Sequence, residues 1–268
     1  MPKAPPLSLL ARPYHHLRAL DRPTVAEELR AQRRKPGCAL VWNATPAPPD
    51  WELTAVMRRP GGMSLLVILP SPSRVIKSPP LLHLLHQVRP HGILPCGTDH
   101  SLGSLTQILR RPPDDLAAEL TEYLSWRGIT LDLDTRRIVR RIVELSADLR
   151  SISAISRSLY LSRRALGRRF LKQGLPVPSH WLQVSRLLRI ASKLQNSVAT
   201  LSSVAYDSGY PDGFSISNQM QRLFGHRPSD VRKSFGWEWI AEAWLQREAG
   251  AGSLALGMPV QRVTNRRG

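Results

Sequence analysis

Apolar residues recur at helical spacing through the second half of the chain and in short runs through the first. Between Ser179 and Gln195, Val184, Leu187, Leu188, Ala191 and Leu194 fall on one side of a helix drawn at about 100° per residue. Arg186, Arg189 and Lys193 fall almost opposite. An apolar stripe backed by a basic one suits a helix packed on protein one way and close to phosphates the other. Ser179, after Pro178, is the expected N-cap. Such a helix would be roughly 25 Å long.

Similar patterns flank it. Upstream, Ile152, Ile155 and Leu159 share a helical face, the pattern breaks at Tyr160-Leu161, and Ser162 caps a second helix with Leu166 and Phe170 inward. Downstream, Leu201, Val204 and Ala205 share a face, Ser208 to Pro211 breaks it, and Asp212 caps a helix with Ile216, Met220, Leu223 and Phe224 inward. The first helices are offset by 49 positions (Ile152 to Leu201) and the second by 50 (Leu166 to Ile216), so the second turn holds one more residue. Short helix, tight turn and amphipathic helix make a helix-turn-helix. Asp134 to Leu149 is a further amphipathic helix, with Ile138, Ile142 and Leu145 on one face and Arg136, Arg137, Arg140 and Arg141 around the rest.

The outward faces carry the candidate chemistry. Opposite Leu166 and Phe170 stand Arg164, Arg168 and Lys172; opposite Ile216 and Met220 stand Phe214, Asn218, Gln221 and Arg222. Arg suits guanine O6/N7, Asn or Gln suits adenine N6/N7, and an aromatic ring can meet a thymine methyl. A merely solvated face would more often mix signs, and these positions hold no acid. We therefore expect base reading by Arg164, Arg168, Lys172, Phe214, Asn218 and Gln221, and phosphate contacts by Arg186, Arg189, Lys193 and Arg222.

The first half reads differently. Ala39 to Asn43, Ser64 to Leu69 and Gly92 to Cys96 are short apolar runs, and Leu7 to Ala11 is a candidate short strand. Helical candidates are Pro23 to Arg34, Asp50 to Arg59, Pro80 to Arg89, Ser101 to Arg110 and Asp114 to Trp126. Strands alternating with helices at this spacing predict a small parallel sheet with crossover helices. The expected organisation is an α/β regulatory or interaction domain over 1–126 and a linker over 127–133. An all-α double helix-turn-helix domain follows over 134–236, then a C-terminal helix and basic tail over 237–268. Trp237, Trp239, Ile240 and Trp244 belong to that last helix, with core packing as the default and a partner surface as the alternative.

Ser197 to Arg232 resembles the second half of the AraC/XylS-family DNA-binding domain, through Gly209-Tyr210, Phe224-Gly225 and Pro228 to Arg232. Ser151 to Gly174 resembles its first half, with Ser162, Leu166 and Phe170 in the expected places. Ile216 and Met220 stand where that family usually has Phe, and Phe214 where it usually has a small polar residue. The resemblance implies a transcription regulator whose two units, joined by one long helix, enter successive major grooves of double-stranded DNA. RNA polymerase and a second copy of the chain are the further partners it suggests, in the bacterial cytoplasm and on the nucleoid when bound. The N-terminal part resembles a response-regulator receiver in alternation and length. It lacks the acidic pair after the first strand, and Leu65 to Leu69 runs into Pro70-Ser71 where that family has its phosphorylated Asp. A degenerate receiver serving contacts rather than phospho-signalling is implied; a jelly-roll sensor fits the alternation less well.

Charge agrees with this reading. Residues 131–236 hold 18 basic and 7 acidic side chains, a net +11 of the chain's +18, so the excess lies where the helix-turn-helix units lie. Cys38 and Cys96 form neither a disulfide framework nor a zinc-finger spacing, which points to a reducing cytosol. The run Leu65 to Leu69 is too short to span a bilayer, and the Pro- and Arg-interrupted start does not read as a signal peptide. His83, His86, His91, Cys96 and His100 cluster without a recognised metal spacing, and no base is identifiable to activate Cys96. No cofactor, metal or enzymatic role is expected. The alternative is a metal- or thiol-dependent enzyme with an attached DNA-binding domain.

Overall fold

The computed structural model describes residues 5–70, 79–95 and 100–256. The apolar runs of the first half become its sheet. Strands β1 (Leu7–Leu10), β2 (Leu17–Ala19), β3 (Ala39–Asn43), β4 (Ser64–Ile68) and β5 (Gly92–Leu94) lie in the order β2-β1-β3-β4-β5. The neighbours β3, β4 and β5 are parallel, with Ala39 opposite Ser64 and Leu66 opposite Gly92. Helices α2 (Asp50–Met57) and α3 (Pro79–Val88) occupy the two crossovers that parallel pairing requires. The expected parallel sheet is therefore present there, but the whole sheet is mixed: β1 runs antiparallel to β3, and β2 antiparallel to β1. Chain length explains the difference. Only residues 11–16 join β1 to β2, too few for a parallel crossover. Strand β2, Leu-Arg-Ala and exposed throughout, has no apolar alternation to announce it.

Period-two alternation divides the sheet's side chains between two faces. Leu7, Leu9, Leu40, Trp42, Leu65 and Val67 pack with Val25 and Leu29 of α1 (Val25–Ala31), with Val56 of α2 and with Leu81 and Leu85 of α3. Leu10, Ala39, Val41, Leu66 and Leu94 pack on the other face with Leu105 and Leu109 of α4 (Leu102–Arg110), and with Phe235 from far along the chain.

Among the described residues nine further helices follow: α5 (Leu116–Trp126), α6 (Leu133–Leu145), α7 (Ile152–Ser158), α8 (Arg163–Lys172), α9 (Pro178–Asn196), α10 (Leu201–Asp207), α11 (Gly213–Phe224), α12 (Pro228–Lys233) and α13 (Glu238–Gly250). One apolar core runs from Leu116 to Leu254, taking Ile129 and Leu131 from the stretch between α5 and α6 and Trp237, Trp239, Ile240, Trp244 and Leu245 from around α13. Trp181 of α9 is its centre, edge-on to Trp244 at 4.8 Å and to Phe170 at 6.3 Å between ring centroids. Helix α9 begins at Pro178 rather than at a serine cap. Val177 is its N-cap, and Pro178 stands at a first-turn position where its missing N–H costs nothing.

Two carboxylates one turn apart on α13 join this helical part to the sheet. Glu238 takes His91 Nδ1 at 2.7 Å, Arg89 at 3.6 Å and the Ser64 hydroxyl at 2.9 Å. Glu242 accepts from Arg127 Nε at 2.7 Å and from the Tyr123 hydroxyl at 2.7 Å, while the Gly62 N–H donates to that same hydroxyl. Burial alone would raise the Glu238 carboxyl, but His91 and Arg89 outweigh it and hold the group down at about 2. Burial opposes charge on His91 too, and Glu238 outweighs it, so the imidazole is raised above its ordinary value. Beside this junction the Tyr14 hydroxyl donates to the Gly37 carbonyl at 2.7 Å and accepts from the Phe235 N–H at 2.9 Å, with the two rings stacked at 4.5 Å.

Two outcomes are expected. A chain ending at Gly236 should lose its cooperative thermal transition, because it lacks Trp244 and both junction carboxylates, whereas residues 113–256 should melt cooperatively in circular dichroism. His91→Ala should cost about 3 kcal/mol at about pH 5, the scale of removing one partner of a buried ion pair. A raised histidine stabilises fully below its unfolded value of about 6.5 and stops doing so as pH climbs through the folded value. The gap between wild type and variant in urea unfolding should therefore narrow as pH rises, and a gap that widened would refute the charged pair.

Candidate nucleic-acid interface

Both helix-turn-helix units are built with the same caps. In the first, Ser151 Oγ accepts from the Ala154 N–H and Ser162 Oγ from the Ala165 N–H, starting α7 and α8. In the second, Thr200 Oγ1 accepts from the Ser203 N–H and Asp212 Oδ1 from the Ser215 N–H, starting α10 and α11. Each cap satisfies a backbone donor that the first helical turn would leave open. The turns match as well, because Tyr160 (φ 53°) and Gly209 (φ 67°) take the same left-handed step 49 positions apart. At Gly209 the left-handed φ favours glycine, and the Arg150 guanidinium occupies the space where a Cβ would stand.

The caps and buried rows turn one face of each second helix outward. Arg164, Arg168 and Lys172 are exposed on α8, and among the described residues none has an ion-pair partner. Neighbouring Arg169 is held aside by Asp134 of α6 at 3.4 Å. On α11, Asn218, Gln221 and Arg222 are exposed and Phe214 is 73% exposed, an apolar ring left in water. Gln221 donates to the Gly225 carbonyl at 3.3 Å, and Arg222 to Gln183 Oε1 at 3.2 Å. Two further aromatics that the periodicity did not single out stand beside these faces, Tyr160 at 96% and Tyr206 at 85% exposure.

The basic stripe of α9 is divided. Lys193 is exposed, but Arg186 and Arg189 are half-buried. Arg186 donates to the Ser208 carbonyl at 2.9 Å and lies 4.5 Å from the centre of the Tyr210 ring, which ties α9 to the second turn. Arg189 donates to the Val143 carbonyl at 2.8 Å and to Ser146 Oγ at 3.2 Å, which ties α9 to the end of α6, and burial lowers its pKa. Helical spacing located this stripe but could not show which carbonyls lie across from it.

The histidines named as metal candidates do not converge. His83 pairs with Gln87 at 2.9 Å and His91 with Glu238, while Cys96 lies outside the described residues. Among the described residues no three His, Cys, Asp or Glu side chains gather as a ligand set. Burial pushes the Cys38 thiol up to about 11, away from a reactive thiolate. No helix among the described residues is long and apolar enough to cross a membrane.

The two α9 arginines should register as structural. Arg186→Ala and Arg189→Ala should each lower stability by about 1–2 kcal/mol in urea unfolding, through lost hydrogen bonds and ring contact. Lys193→Ala, at an exposed site on the same helix, should change it by less than about 0.5 kcal/mol. Equal effects at all three positions would contradict the division.

Residues 155–234 match the family model described as a helix-turn-helix domain. The HTH-type transcriptional activator RhaS of Escherichia coli O139:H28 (strain E24377A / ETEC) is 30% identical over 87 residues, which cover 32% of this chain and 31% of that protein. The match thus spans less than a third of the relative's length. The solved structure of the xylose-binding transcription activator xylR is 12% identical, with 73% of this chain and 61% of that chain covered at a TM-score of 0.37. The match over residues 155–234 agrees with the AraC/XylS-type helix-turn-helix domain expected from the sequence.

Proposed function

We propose that the chain is a sequence-specific DNA-binding transcription regulator that reads two successive major grooves with one subunit. The observation that carries this is the pair of acid-free outward faces on α8 and α11, in units that precede and follow one buried helix. Helix α9 has 19 residues, about 28 Å of rise, and with the width of its flanking units it can bridge the roughly 34 Å between grooves on one DNA face.

The two faces differ in chemistry. Arg164, Arg168 and Lys172 offer donors alone, matched to guanine O6 and N7 and to phosphates. Asn218 and Gln221 offer the paired donor and acceptor that adenine presents, and Phe214 a ring for a thymine methyl. Lys193 and Arg222 take the phosphate contacts. Arg186 and Arg189, also expected on phosphates, act in this reading as braces that set the angle of each unit. The regulatory or interaction part, expected over 1–126, is joined to the reading part through α13. The proposed setting is the cytoplasm. DNA is the assigned partner, and RNA polymerase is a further one if the chain activates, as the name of its relative says of that protein.

Selection of bound duplexes from a random pool tests this directly. Arg168→Ala should cost about 1–3 kcal/mol and relax preference at one base pair. Asn218→Ala should do the same about one helical turn away. If both variants alter the same base pair, or neither alters any, two-groove reading is wrong.

A further inference from the structure

Gly213, at the start of α11, answers to a neighbour, since a Cβ there would come within 3.1 Å of the Leu201 side chain. Gly167 does not. It lies in the middle of α8, in ordinary helical backbone, and a Cβ built on it meets no heavy atom within 4 Å. Alanine would fit, and it favours a helix more than glycine does. Nothing in the fold therefore asks for glycine there.

Its position supplies another reason. Gly167 borders the outward face, with Arg163 and Arg164 one turn before it, Leu171 one turn after, and Arg168 beside it, all exposed. The layer of long side chains has a gap there. Fifty positions on, at the matching place in α11, stands Ser217, again small, between Phe214 and Gln221. Small residues at this place let a helix backbone come nearer to whatever the face touches.

We infer, on the DNA-binding reading above, that Gly167 is the point where the α8 backbone itself meets the major groove. Its Cα and its neighbouring peptide groups lie against the DNA at van der Waals distance, with Arg164, Arg168 and Leu171 on one side of it and Arg163 on the other. A side chain at 167 would hold the whole helix off, and the arginines would lose their reach together.

The test separates stability from binding in the full chain. The probe is a labelled duplex enriched from a random pool by the wild-type protein. Gly167→Ala should raise the melting temperature, yet bind that duplex about tenfold more weakly. Gly167→Gln should bind it more weakly still while remaining folded. Affinity within about twofold of wild type for both variants would overturn the inference, as would tighter binding by Gly167→Gln. A lower melting temperature for Gly167→Ala would overturn it too, by placing an internal contact at this site. If the wild-type chain enriches no duplex, the DNA-binding reading itself falls, a result distinct from a variant that alone fails to bind.

Discussion

Burial of the Pro178–Asn196 helix is the constraint that the helical part answers to. Eleven of its 19 residues are buried, among them Trp181, Leu187, Leu188 and Leu194, so it is enclosed on more than one stripe. An enclosed helix fixes everything attached to its surface, because close-packed interiors admit few alternative arrangements. Its two half-buried arginines follow from this. Once α6 and the second turn pack alongside, the guanidinium groups of Arg189 and Arg186 lie beside the carbonyls of Val143 and Ser208. A charged donor meeting a backbone acceptor makes a stronger hydrogen bond than two neutral groups do. The long helix therefore holds both units in a set relation through polar contacts as well as apolar ones.

The second constraint is electrostatic. Glu238 and Glu242 are buried and face the sheet and α5 across an interface that also buries Arg59, Arg89 and Arg127. Buried ion pairs add little net stability over well-packed apolar groups, yet removing one member is costly. Such an interface tolerates little change in register, since each carboxylate needs its own partner. Helix α13 thus packs on both parts: its acidic face is matched to the sheet and α5, and Trp244 and Ile240 lie in the core shared with α9 and α11.

What the sequence made legible was what local rules determine. Caps at Ser162 and Asp212, a break before each, and inward rows at 166/170 and 216/220 identify both units without long-range information. Strands β3 and β4 were legible as continuous apolar runs. Strand β2 was not, because an exposed three-residue edge strand is defined only by the partner it pairs with. The roles of Arg186 and Arg189 were hidden for the same reason, since a basic stripe looks alike whether solvent, phosphate or a carbonyl lies opposite. The junction was the least accessible of all. Glu238 meets Ser64 across 174 positions and Phe235 meets Tyr14 across 221, and no periodicity spans such separations.

The asymmetry between the two faces then has a consequence for how a regulator of this kind would divide its work. Cations draw affinity from the release of counterions around phosphate, a contribution that ignores sequence and falls with salt. That contribution is concentrated in the first unit, where Arg164, Arg168 and Lys172 have no carboxylate among the described residues to neutralise them. The second unit presents Phe214, Asn218 and Gln221, which gain little from phosphate and depend on matching a base edge or a methyl group. On the DNA-binding reading, both units read bases, and the first adds more of the salt-dependent affinity. Because one rigid helix joins them, a mismatch under α11 cannot be relieved by repositioning that unit without straining α9, and so weakens the complex as a whole.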